Sequence, residues 1–208
     1  LKVIFNYALS NEIITVNPSI GFKMQRVKGT TEYLTIDEVR RIEEYDFEDN
    51  ISLDKVRKLF LFSVYSGLRF SDANQLKKEN VTLESDNNHW MSLIQIKTGE
   101  FIYRPLFKRA VDLLKQFEEK YPDSEFVIPR ITNQKVNAYL KVIADLAGVK
   151  KVLTHHMARH TFATTILLDS GIDLKTVSFF MGHSSIKSTE VYGKITRNRA
   201  VDVVRMLD

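Results

Sequence analysis

His156-Met157-Ala158-Arg159-His160-Thr161-Phe162-Ala163-Thr164 is the stretch on which the reading turns. Two cationic residue types, His156 and Arg159, stand three apart. On a helix that spacing projects them from one face. Apolar and small residues fill the other positions, and the pattern runs to Asp169 before Gly171 stops it, which predicts a helix over 156–169. Helical His and Arg pairs are common, and by itself this one reads as an ordinary surface pair.

Outward from this helix the chain is mostly helical. Toward the N-terminus, residues 133–147 predict a helix ended by Gly148, and residues 108–121 another. Before these lies the only β-like region: 81–83, 90–96 and 101–106, with Thr98-Gly99 marking a tight hairpin between the last two. A short polar helix over 71–76 precedes it, then an apolar helix over 52–66 ended by Gly67. Thr35 with Glu38 three residues on forms a capping box that opens a helix through Val39 and Ile42. The first helix, residues 1–13, ends before Val16-Asn17-Pro18, because the residue preceding a proline is pushed out of the α region. A basic linker with Lys23, Arg26, Lys28 and Gly29 follows. Toward the C-terminus come a helix over Leu174–Met181 ended by Gly182, and a last one from Arg197. The expected fold is mainly α with a small three-stranded antiparallel β-sheet. The chain opens at Leu1 within a helical pattern and reads as a piece of something longer.

Composition sets outer limits. The 208 residues suffice for one large domain, and 44% hydrophobic with 27% charged residues is ordinary for a well-packed globule. There is no cysteine, which excludes disulfides, thiolate chemistry and Cys-type zinc sites and fits a reducing, cytoplasmic setting. No apolar run approaches the roughly 20 residues that a membrane span requires, and no signal peptide opens the chain. The net charge of +4 leans toward a polyanionic partner without identifying one.

Singly, the candidate residues each have an ordinary alternative. Arg69 is also a solvated helix-end arginine, His183 a residue following a helix, Tyr192 a core aromatic, and Lys97 a hairpin-tip lysine. Their order is what stands out. Ser66-Gly67-Leu68-Arg69-Phe70-Ser71-Asp72 comes first, Lys97 falls in the hairpin, and the 156–164 stretch, Gly182-His183-Ser184-Ser185 and Tyr192 follow. This resembles the tyrosine recombinase, or lambda-integrase-like, family over residues 33–208. There an arginine box, a hairpin lysine, a His-x-x-Arg box, a Gly-His box and a tyrosine occur in this sequence. Met181 and Ala158 stand where the family usually has leucine, which affects packing only.

The resemblance implies a set of roles, and elementary chemistry explains them. Two guanidinium groups, Arg69 and Arg159, would clamp a phosphodiester and stabilise the charge that builds on its non-bridging oxygens, with His183 as a further donor. A phenol has a pKa near 10, so Tyr192 needs a base, and His156 is the expected one. Lys97 would protonate the leaving 5′-oxygen. Asp72 would orient Arg69, and His160 would brace the site. Bond energy is kept in a 3′-phosphotyrosyl link, so no metal or other cofactor is required. The implied partner is double-stranded DNA, bound by a homotetramer that is monomeric without it, in the bacterial cytoplasm on the nucleoid. Residues 1–28 would be the last helix of an N-terminal core-binding domain plus its linker, and 29–208 the catalytic domain. Integration or excision of a mobile element is the leading role.

Four other readings compete: a type IB topoisomerase, a non-catalytic DNA-binding relative, a metal-dependent nuclease and a structural protein. The nuclease lacks a carboxylate at ligand spacing from His156 and His160. The segment 197–207 places Ala200, Val201, Val204 and Leu207 on one helical face, which would dock either on a neighbouring protomer or on its own domain.

Overall fold

Helix α3 (Ile51–Ser66) is the axis of the structure, a computed structural model that describes residues 1–21, 32–47 and 50–193. Every residue from 59 to 66 is buried, including Ser63 and Ser66. A helix apolar all round can only sit inside. It packs against α5 (Lys108–Lys120), α6 (Asn133–Leu146) and α7 (His155–Thr161). The chain divides into two compact units between Thr31 and Glu32. The first holds α1 (Lys2–Ser10), which has no buried residue and ends three residues earlier than the sequence pattern suggests. Asn17 beyond it bonds Asn6 at 2.6 Å and receives the Ser19 N–H.

In the second unit, α2 (Ile36–Glu44) begins with the expected capping box: Thr35 Oγ1 accepts the Glu38 N–H and Glu38 Oε2 accepts the Thr35 N–H. After α3 and the short α4 (Phe70–Ala73), the sheet runs β1 (Val81–Leu83), β2 (His89–Ile94) and β3 (Phe101–Pro105), antiparallel in sequence order. Met91 faces Arg104 and Leu93 faces Ile102 across β2 and β3, and these pairs form the inner side. Strand β2 ends two residues sooner than the alternation implies. Gln95 N–H bonds Glu100 O at 2.8 Å and Gly99 N–H bonds Gln95 O at 2.8 Å, so residues 96–99 form a four-residue loop with Gly99 at φ 71°. Thr98-Gly99 is the end of that loop rather than a two-residue turn.

The predicted 156–169 helix is two geometries in one. Helix α7 begins at His155 and gives way to a π-helical segment, Phe162–Leu168. Thr161 and Thr165 within this stretch hold the backbone of Leu34, Thr161 Oγ1 accepting its N–H and Thr165 Oγ1 donating to its carbonyl. Helix α8 (Leu174–Met181) completes the second unit's described helices. A smaller apolar cluster of Phe162, Ala163, Leu167, Leu168, Val177, Met181 and Tyr192 sits beside the main core. No described helix is long and apolar enough to cross a membrane. Most of the basic linker and the 197–207 helix lie outside the described residues.

Candidate active site

Two left-handed glycines bring the site together. Gly67 (φ 67°) ends α3, and a Cβ there would overlap the Phe162 ring. Gly182 (φ 59°) ends α8, and a Cβ there would lie 2.6 Å from Ile102 Cγ2 and 2.7 Å from Gln95 Nε2. Both turns leave backbone carbonyls pointing inward, and both carbonyls are taken by Arg159. Its Nη1 donates to Gly67 O at 2.6 Å, and its Nη2 donates to Met181 O at 2.6 Å. Arg159 is only 2% exposed. Burial, and then the neighbouring Arg69 charge, lower its pKa to about 10, so it stays charged at neutral pH.

His183 follows Gly182 directly. Arg159 Nη2 also donates to His183 Nε2 at 2.9 Å, which leaves the imidazole proton on Nδ1, 2.8 Å from Thr189 Oγ1. Burial and the two arginines push the His183 pKa down to about 4. The ring is therefore neutral and, without an anion, accepts from Arg159 instead of donating outward. Thr189 is fully buried.

Tyr192 lies one short turn beyond Thr189, its ring in the smaller apolar cluster and only 7% exposed. Its hydroxyl is 2.9 Å from His160 Nδ1. Burial raises the phenol pKa, and the Arg159 and Arg69 charges pull it back down. The imidazole bonded to the phenol is His160, one helical turn beyond the candidate base His156 on α7. His160 is held neutral, its pKa lowered to about 4 by burial and by the charges of His156 and Arg159, so Nδ1 can accept the phenol's hydrogen bond. His156 stands edge-on to His160, ring centroids 4.4 Å apart, on the open side. Partial desolvation, and then the Arg159, Lys97 and Arg69 charges, lower its pKa.

Arg69 caps α4 and sends Nη1 to Gln95 Oε1 at 2.8 Å. Asp72 forms a long ion pair with it. The nearest approach is 4.0 Å, while Asp72 Oδ1 accepts the Ile96 N–H at 3.0 Å and Oδ2 has no hydrogen-bond partner. The carboxylate thus fastens the hairpin loop to α4. Lys97, on that loop, is exposed, and its charge reaches His156. Arg104, which no sequence motif marks, is a second buried guanidinium beside Arg159: Nη2 donates to Ser66 O at 2.6 Å, and burial and Arg159 lower its pKa to about 9. Its signal was an arginine at an inward position of β3, two residues after Ile102. Gln95 and Thr189 were also missed. His155, one place off the His-x-x-Arg register, is buried and bonds Ser63.

The electrostatics have one direction. Among the described residues, Arg69, Arg104 and Arg159 face one buried carboxylate, Asp72, and every shifted histidine and arginine around them moves toward its neutral form. Such a cluster is short of negative charge, and a phosphate oxygen is the anion that planar guanidinium groups fit.

The model for the phage integrase family matches residues 32–199. The chain belongs to that family. Tyrosine recombinase XerC of Leptospira interrogans serogroup Icterohaemorrhagiae serovar copenhageni (strain Fiocruz L1-130) is 26% identical over 217 residues, covering 99% of this chain and 68% of that protein. Two solved structures share the fold. A lambda integrase fragment dimer bound to a COC′ core site superposes with TM-score 0.73 at 21% identity, over 92% of this chain and 69% of that one. XerH recombinase in a post-cleavage complex with palindromic difH superposes with TM-score 0.69 at 20% identity, over 88% of this chain. The chain spans 55% of the XerH length. XerH is described as a site-specific recombinase, and the XerC relative as a tyrosine recombinase.

Proposed function

We propose that this chain cleaves and rejoins double-stranded DNA at specific sites through a covalent bond to Tyr192. The observation that carries the reading is a phenolic oxygen bonded to a neutral imidazole, His160, beside guanidinium groups that outnumber the buried carboxylate described near them, Asp72. In the proposed step, Arg69 and Arg159 bind the non-bridging oxygens of the scissile phosphate. His183 takes a proton from solvent on Nε2 as the anion binds, and donates it in a hydrogen bond to the same oxygens. Tyr192 Oη attacks phosphorus, and its proton passes to His160. The phosphorus–5′-oxygen bond breaks, the 5′-oxygen takes a proton from Lys97, and a 3′-phosphotyrosyl link remains. A 5′-hydroxyl from the partner strand reverses each transfer. Charge stabilisation by the arginines and proton transfer by the imidazole and ammonium supply the catalysis.

Exchanging strands between two duplexes requires four cleavable phosphates, so the acting form is a tetramer on DNA. Its substrate would place it on the chromosome in the cytoplasm, and mobile-element integration or excision is the role we favour. Simple relaxation of supercoils is not favoured, since the relatives and the superposed proteins are recombinases and an integrase.

The test is a duplex nicked close to the cleavage point, so that the released fragment diffuses away and the link accumulates. The full chain is expected to become covalently attached, and Tyr192→Phe is expected to bind the duplex without attachment. Attachment by the phenylalanine variant would remove the proposal.

A further inference from the structure

Gln95 is completely buried at the point where β2 turns into the loop that carries Lys97. Its amide makes three connections. Oε1 accepts from Arg69 Nη1 at 2.8 Å and from Thr98 Oγ1 at 2.8 Å, and Nε2 donates to Met181 O at 3.5 Å. That last carbonyl is the one Arg159 Nη2 holds at 2.6 Å. Because Arg69 is a pure donor, the amide orientation follows: oxygen toward Arg69, nitrogen toward Met181. The missing Cβ of Gly182 makes room for this nitrogen. The backbone of Gln95 also closes the loop, through the Glu100 carbonyl and the Gly99 N–H.

We propose that Gln95 is a positioning residue that sets the distance between the Lys97 loop and the two-arginine phosphate clamp, holding both without cancelling the clamp's charge. The inference rests on the roles proposed above for Arg69 and Lys97. Arg69, the carbonyl that anchors Arg159 and the loop bearing Lys97 all meet at this one side chain. A carboxylate here would offer the same acceptor to Arg69, but would pair with it as an ion and compete with the phosphate. An amide accepts the bond and leaves the positive charge available. Asp72, which holds the Ile96 N–H of the same loop, supplies a second tether from α4.

Two variants of the full chain and two DNA substrates separate the effects. One substrate carries the ordinary bridging 5′-oxygen. In the other, sulfur replaces it and departs as a thiolate, which needs no proton from Lys97. Gln95→Met keeps the length and removes the acceptor. Its saturated cleavage rate is expected to fall by about 100-fold on the ordinary bond, the scale of a 1 Å misplacement of a catalytic group. On the sulfur bond the loss is expected to shrink several-fold, because the misplaced Lys97 no longer matters. Gln95→Glu keeps the acceptor, so its ratio between the two substrates stays that of the parent. Its DNA concentration for half-maximal rate should rise by roughly 10-fold, as one neighbouring charge is offset. Parent-like cleavage by Gln95→Met, an equal loss on both bonds, or a Glu variant that behaves as the Met variant does would each overturn the proposal. If the parent chain forms no Tyr192-dependent link with either substrate, the recombinase reading itself fails, a result distinct from any of these.

Discussion

Arg159 and Lys97 are two cations of one proposed site in opposite surroundings. Arg159 is almost sealed, and its guanidinium is occupied on both arms by the Gly67 and Met181 carbonyls and His183 before any ligand arrives. Lys97 sits exposed on a four-residue loop held only near its base, by Gln95 and Asp72. The buried half is fixed by folding and acts by being already in place. The loop half can be altered without disturbing the core. Structure and chemistry are therefore tied together at Arg159 and separable at Lys97.

The largest expected effect lies in the sealed half. Arg159→Ala should slow formation of the covalent link by 10³-fold or more, at the upper end of the ~10²–10³ lost with one charge-stabilising donor. It should also lower the thermal midpoint, since two buried carbonyls and His183 lose their donor together. Arg159→Lys should restore little, because one ammonium cannot span both carbonyls and the imidazole. Single-turnover adduct kinetics and a melting curve on the same sample check both parts. A variant that loses activity with an unchanged midpoint would break the link between fold and site in this half.

Next in size is Lys97→Ala. Loss of the acid should cost about 10²-fold in cleavage, within the range for a general acid, while the melting midpoint stays at the parent value. A large fall in midpoint would show the loop to be part of the core after all.

The smallest effect is a pH dependence confined to the sealed half. His155, with its pKa pushed to about 3 by burial, and His160 and His183, each near 4, all titrate in the folded state below their ordinary value of 6.5. Between about pH 6.5 and pH 3 these rings therefore bind more protons in the unfolded chain than in the folded one, so stability falls as pH drops through that window. The slope should flatten in His183→Asn and stay unchanged in Lys97→Ala. Denaturant midpoints measured from pH 7 to pH 4 would show a flat profile if these rings were not held neutral.

Sequence and structure agree best where short-range rules act. The Thr35–Glu38 capping box, the stops at Gly67 and Gly182 and the order of three antiparallel strands follow from local hydrogen bonding and backbone preference. The π-helical segment was not legible, since Phe162–Leu168 carries an ordinary helical pattern and its register is set by tertiary contacts, such as those from Thr161 and Thr165 to Leu34. For the site, residue types and order pointed to Arg69, Lys97, His156, Arg159, His183 and Tyr192 as candidates. They could not say which of two imidazoles one turn apart meets a phenol 32 residues further along, because that depends on how α8 and the turns after it fold back onto α7. Gln95 and Arg104 did leave a trace. Met91, Leu93 and Gln95 share one side of β2, and Ile102 and Arg104 one side of β3, so each polar residue continues an inward-facing series. A polar group at such a position must be bonded, and here both are bonded to the site or its supports.

The most direct measurement is to map the covalent link itself: trap the full chain on a nicked duplex, digest protein and DNA, and identify the modified peptide and the end of the DNA it carries by mass spectrometry. The account predicts a single modified side chain, Tyr192, joined to a 3′-phosphate with a free 5′-hydroxyl on the released strand. A link at any other residue, or one joined through a 5′-phosphate, would contradict it.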